Sequence, residues 1–148
     1  MFLSRVIALF FLLLAGVSAF SPLRVSKALR PLNADMIEIT PGVKFDTIAR
    51  EWRLKWSADS DKKSLQSVQQ TLTIFEKELS KLPGLKSVQR IVCGGCLDYK
   101  VIIALKASEF GNWEAKKFQP EEQFLSAVKS IQGVSVVETQ TYTIMPVM

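Results

Sequence analysis

The chain has 148 residues, 48% of them hydrophobic, with 19 Lys and Arg against 14 Asp and Glu and no histidine. That length supports one domain, and two cysteines are too few for a disulfide framework. The missing histidine excludes Ser–His and Cys–His nucleophiles and His-ligated metals, so acid–base work falls to carboxylates, Lys, Tyr or Cys. Much of the hydrophobic and basic excess sits in the first 35 residues. Arg5 precedes an apolar run at residues 6–17, and Val17, Ser18 and Ala19 supply the small residues of a signal-peptide cleavage site. The run is shorter than the roughly 20 residues that span a bilayer. After Ala19 come Arg24, Lys27 and Arg30 with two serines and no acid until Asp35, which is transit-peptide composition. The expected organisation is a signal peptide at 1–19, a transit-like segment at 20–35 and one soluble domain at 36–148. Setting aside Arg5, Arg24, Lys27, Arg30 and Asp35 leaves that domain 15 basic and 13 acidic residues. A near-neutral domain has no basic face of the kind nucleic acid requires, and no integral membrane segment is expected in it.

Within the domain, residues 36–44 read as an extended lead-in through Pro41 and Gly42. From Phe45 the pattern alternates, with Ile48, Arg50, Trp52, Leu54 and Trp56 on one side and Ala49, Glu51, Arg53 and Lys55 on the other. Period two with one mostly apolar side predicts a half-buried strand. Residues 57–61 offer several N-caps. Leu65, Val68, Leu72, Phe75, Leu79 and Leu82 then recur at spacings of three and four until Pro83 and Gly84 stop the helix. Residues 86–105 predict a hairpin about Gly94 and Gly95, a pair suited to a type I′ turn. That turn sets Val92 opposite Leu97, Arg90 opposite Tyr99 and Val88 opposite Val101. Residues 106–119 are read as a linking stretch carrying Phe110, Trp113 and Phe118. Pro120 with Glu121 and Glu122 opens a second helix, faced by Phe124, Ala127, Val128 and Ile131 and closed by Gly133. Residues 135–145 form the last strand. The predicted order is βαββαβ, a ferredoxin-like α+β fold with two helices on one face of a four-stranded antiparallel sheet.

Two resemblances follow. The junction VSAFSP, residues 17–22, resembles the ASAFAP-type signal at which a signal peptide gives way to a transit peptide in secondary plastids of red-algal descent. It implies a plastid stroma; secretion is the alternative. The stretches VQRIVCGGCLDY (88–99), VIIAL (101–105) and IQGVSVVETQTYTIM (131–145) resemble the effector domain of the Lrp/AsnC regulators. More loosely, the topology is similar to dimeric α/β barrel proteins, which include small oxygenases and isomerases. No helix-turn-helix accompanies the likeness, so transcriptional regulation is not implied. What it implies is pairing through the open sheet face, as a homodimer or a subunit of a complex, with room for a small ligand.

Cys93 and Cys96 form the one motif that hints at redox chemistry. A CxxC pair is activated at a helix N-terminus, and here it flanks a hairpin instead, so an inert turn, a regulatory disulfide and a metal or catalytic site shared across a dimer stay as competing readings. Trp52, Trp56, Arg90, Tyr99, Phe110 and Trp113 are candidates for a pocket between sheet and helices, against the alternative of plain core packing. Arg50 and Arg90 interrupt apolar strand faces. Each needs a sheet edge or an anionic partner, and an edge is expected. Glu51, Arg53, Lys55, Ile91, Lys100 and Ile102 are candidates for an interface on the other sheet face. No catalytic constellation, metal site or cofactor is expected. The leading expectation is a non-catalytic plastid interaction module. The alternatives are a dimeric α/β-barrel enzyme acting on a small hydrophobic molecule, and a thiol redox switch at the CGGC hairpin.

Overall fold

The computed structural model describes residues 36–148; the expected presequence lies outside the described residues. Two short strands come first, β1 (Ile37–Thr40) and β2 (Val43–Phe45), paired as a separate hairpin where an extended lead-in was expected. Gly42 turns it at a φ of +85°, a left-handed value that glycine alone adopts without steric cost.

The main sheet is built from β3 (Thr47–Lys55), β4 (Leu85–Cys93), β5 (Asp98–Lys106) and β6 (Ser135–Ile144). Its order is β4-β5-β3-β6, and every neighbouring pair is antiparallel. With α1 (Asp59–Leu79) and α3 (Glu121–Lys129) on one face, this is the predicted ferredoxin-like arrangement, with β3 and β5 central. A third helix, α2 (Ala107–Glu114), occupies the stretch read as a linker. It buries Phe110 and Trp113, so the aromatics of that stretch mark a short helix and not a loop.

Alternation in the strands sorts side chains to two faces. Trp52 and Leu54 of β3 join Tyr99, Val101, Ile103 and Leu105 of β5 beneath Val68, Leu72 and Leu79 of α1 and Phe124 and Val128 of α3. Trp52 stacks on Phe124 with ring centroids 4.7 Å apart, and Phe75 meets the same ring edge-on. Each large side chain fully buried here contributes roughly 2–3 kcal/mol.

The start of α1 is irregular. Ser60, Asp61 and Lys62 all have left-handed φ, from 52° to 60°, before the right-handed turns begin. Non-glycine residues adopt this at a cost of about 1 kcal/mol each. Ser64 braces the bend, since its Oγ accepts from the Ser57 backbone N–H and donates to the Ser57 carbonyl, both at 3.0 Å.

The hairpin departs from the expected pairing. Val92 lies opposite Tyr99, Arg90 opposite Val101 and Val88 opposite Ile103. The connection is four residues, 94–97, and Leu97 takes the left-handed conformation that was expected at the two glycines. The slip is two residues, an even number, so each side chain keeps its predicted face.

Candidate functional site

α1 and the edge strand β4 do not close over one another. Between them runs a groove of about 550 Å³, with Leu72, Leu85 and Val88 as apolar wall and Gln69, Glu76 and Arg90 as polar rim. That volume falls in the range of small-molecule sites, about 300–1,000 Å³. Helical spacing puts Gln69, Leu72 and Glu76 on one side of α1, and alternation puts Val88 and Arg90 on one side of β4.

Gln69 joins the polar groups. Its Oε1 accepts from Arg90 Nη1 at 2.8 Å and from the Tyr99 hydroxyl at 3.0 Å. Tyr99 is 1% exposed, and its burial, with a smaller contribution from Glu76 against the opposing pull of Arg90, pushes the phenol up to about 12. It is a neutral hydrogen-bond donor at any physiological pH. Arg90 is exposed, and a guanidinium has five N–H donors, so one bond to Gln69 leaves capacity for a bound oxygen. The arrangement can hold a flat apolar molecule against Leu72, Leu85 and Val88 while Arg90 meets a phenolate, enolate or carbonyl oxygen.

Of the residues expected to line a pocket, Arg90 and Tyr99 are brought together here. Trp52, Trp56, Phe110 and Trp113 are 1–4% exposed and lie in the core. Trp113 packs edge-on to Phe110 and Phe118 and donates to the Gln119 carbonyl at 2.7 Å. Arg50 corrects its expectation. It is held by an anionic partner and not by an edge position, since Glu121 accepts from Nε at 2.7 Å and from Nη2 at 2.8 Å. Glu121 also accepts from Trp52 Nε1 at 2.8 Å, the Phe118 ring lies 4.3 Å under the guanidinium, and Thr139 and Thr141 accept from Nη2 and Nη1. Gln69, Glu76 and Glu121 were not singled out from the sequence. The signal for Gln69 was its place three residues before Leu72, on the flank of the apolar stripe.

On the opposite sheet face, the charges expected to await a partner are already paired. Glu51 is 4% exposed, accepts from the Tyr142 hydroxyl at 3.0 Å and lies 3.3 Å from Lys100 Nζ. Burial first, then Glu51, pushes Tyr142 up to about 12. Asp98 sits between Lys55 at 2.8 Å and Arg53 at 3.0 Å. Lys55 and then Arg53 hold its carboxyl below the usual range, against the opposing effect of burial. Ile91 is 43% exposed and Ile102 half-buried beside them. Cys93 and Cys96 are joined by a disulfide across the hairpin connection.

No helix among the described residues is long and apolar enough to cross a membrane, and no group of three or more potential metal ligands occurs among them. No family model matches the sequence, and no curated protein does. Solved structures do resemble the fold. A monooxygenase from the gene ActVA-Orf6 of Streptomyces coelicolor, in complex with the ligand Nanaomycin D, superposes with a TM-score of 0.51 at 11% identity, covering 70% of this chain and 91% of that one. A Deinococcus radiodurans protein described as an antibiotic biosynthesis monooxygenase gives 0.50 at 14% identity, covering 68% and 95%. At these identities the likeness shows a shared fold. It runs against the expectation of a non-catalytic interaction module, because both of these solved structures carry the name of a monooxygenase.

Proposed function

We propose that this domain is an enzyme acting on a small hydrophobic molecule that carries a hydrogen-bonding oxygen, and that it works as a homodimer. The observation that supports the reading is the chain from Arg90 through Gln69 to Tyr99 beside the apolar wall of the groove. Arg90 would bind the oxygen as a developing anion, and Tyr99 would fix Gln69 and through it the guanidinium. Monooxygenation is the reaction to assay first, since proteins of this fold are named for it.

The test is a titration of the protein with naphthols and hydroxynaphthoquinones, followed by tryptophan fluorescence and by dioxygen uptake. Saturable binding is expected for at least one compound, weakened about tenfold or more in Arg90→Ala, as loss of a charge-assisted hydrogen bond of about 1.5–3 kcal/mol requires. Failure of every compound to bind below millimolar concentration, or equal binding by Arg90→Ala, would end the proposal. Sedimentation of the same sample reads the dimer directly.

We further infer a plastid location from residues 1–35. A fluorescent protein carrying only those residues should enter the plastid, and its appearance in the medium would favour secretion instead.

A further inference from the structure

We propose that the disulfide between Cys93 and Cys96 is a thiol–disulfide exchange site, opened by an external dithiol, whose state sets the position of Arg90 and so regulates the groove. The regulatory half rests on the reading of the groove as the enzyme's site.

The bond is reachable. It sits in the connection between β4 and β5, where Cys96 is exposed and Cys93 half-buried. A side-chain carbon built on Gly94 or Gly95 meets nothing within 4 Å, so the connection is open on its outer side, while Asp98 Oδ2 lies 3.7 Å from Cys96 Sγ on the inner one. The two sulfurs are also unequal. The Cys96 backbone N–H donates to Cys93 Sγ at 3.0 Å, which favours Cys93 as the departing thiolate. Exchange rate depends on the sulfur attacked and on how well the other one leaves.

A thiolate of the dithiol attacks Cys96 Sγ, a mixed disulfide forms, the bond to Cys93 breaks, and the Cys93 thiolate takes a proton from solvent. The second thiol of the reductant then loses its proton and attacks its own sulfur in the mixed disulfide. The reductant leaves as a disulfide, and Cys96 departs as a thiolate that is protonated in turn. Two electrons and two protons have passed to the protein.

The consequence falls on one strand more than the other. Lys55 Nζ donates to the Cys96 carbonyl at 2.7 Å and, with Arg53, grips Asp98, so β3 anchors the β5 side of the connection. The β4 side is an edge, bonded to β5 alone within the sheet. Beside the backbone of residues 94–97, the disulfide is its second covalent tie at the tip. Arg90 lies three residues before Cys93, and the first pair inward from Cys93 and Asp98 is Val92 with Tyr99. Opening the bond therefore frees the end of the strand that carries Arg90 and leaves Tyr99 in place.

The experiment is amide hydrogen exchange on the full-length protein, oxidised, reduced by dithiothreitol, and as the variant combining Cys93→Ser with Cys96→Ser. Reduction should add two hydrogens by mass and raise exchange at least fivefold at those amides of residues 90–93 that bond β5, with Val128 and Tyr142 unchanged. The variant should match the reduced form and ignore the reductant. Equal exchange in both redox states at the β4 amides that bond β5 overturns the proposal, as does a reductant response that persists in the variant. If the variant does not fold, the comparison of oxidised and reduced wild type decides alone. Binding of 1-naphthol is read separately. If Arg90→Ala binds it as the wild type does, the groove is not the site, whereas the exchange difference still tests the bond as a control on β4.

Discussion

The two edges of the sheet use the same residue in opposite ways. At the β6 edge, Arg50 reaches up from a central strand and is closed in by Glu121, Thr139, Thr141 and the Phe118 ring. At the β4 edge, Arg90 rises on the same face but meets only the neutral amide of Gln69. A guanidinium taken from water is costly unless a carboxylate and hydrogen bonds replace its hydration, and Arg50 has the Glu121 carboxylate and two threonine hydroxyls. Arg90 keeps its solvent and its spare donors. One edge is sealed by electrostatics, while the other is left open beside an apolar wall, and function is expected where the charge is left partly unused.

That contrast can be broken at several points. The largest effect is expected for Glu121→Ala, which strands Arg50 and takes the acceptor from Trp52 Nε1. It should lower stability by about 3 kcal/mol in urea unfolding, and a loss under about 1 kcal/mol would show the β6 edge to be held by packing alone. Next comes the alkaline limb. Tyr99 and Tyr142, the two tyrosines of the chain, titrate near 12 in the folded state against an ordinary 10.0. Their folded values are raised, so the stability they contribute is present below pH 10 and is lost as pH climbs toward 12. Tyrosinate absorbance at 295 nm should appear near 12 in native protein and near 10 in urea, and coincident curves would contradict the burial of Tyr99 and the pairing of Tyr142 with Glu51. Tyr99→Phe removes one buried hydrogen bond and should cost about 1 kcal/mol. Smallest is Arg90→Ala, within about 0.5 kcal/mol in stability although it is expected to weaken binding in the groove about tenfold or more. A large stability loss there would make the two arginines equivalent and erase the distinction between the edges.

Much of this was readable in the residues, for physical reasons. The stripe from Leu65 to Leu82 and the alternation through Trp52 and Tyr99 are local patterns whose periods match helix and strand directly. Arg90 stood out because it breaks an apolar strand face, and Tyr99 as one of the aromatics weighed between core and pocket. α2 was not readable, because eight residues holding Phe110, Gly111 and Trp113 are helical through packing on the sheet and not through propensity. The hairpin register misled because Gly94 and Gly95 fit a two-residue turn, yet Leu97 takes the left-handed position. The bond from Arg50 to Glu121 joins residues 71 apart, and no spacing rule reaches that far. Gln69 was passed over because a glutamine flanking an apolar stripe reads as a solvated position.

The distance along the chain between Arg50 and Glu121 also orders events during synthesis. β3, α1, β4 and β5 leave the ribosome first and can pair locally, so the groove edge assembles from nearby segments. Arg50 waits on a face that is otherwise apolar until α3 and then β6 follow. Contacts of large sequence separation form late, because loop closure precedes any gain. A nascent chain stopped before residue 121 would therefore carry a finished groove beside an uncovered cation and an unpaired edge of β3, which is a surface for chaperones to hold.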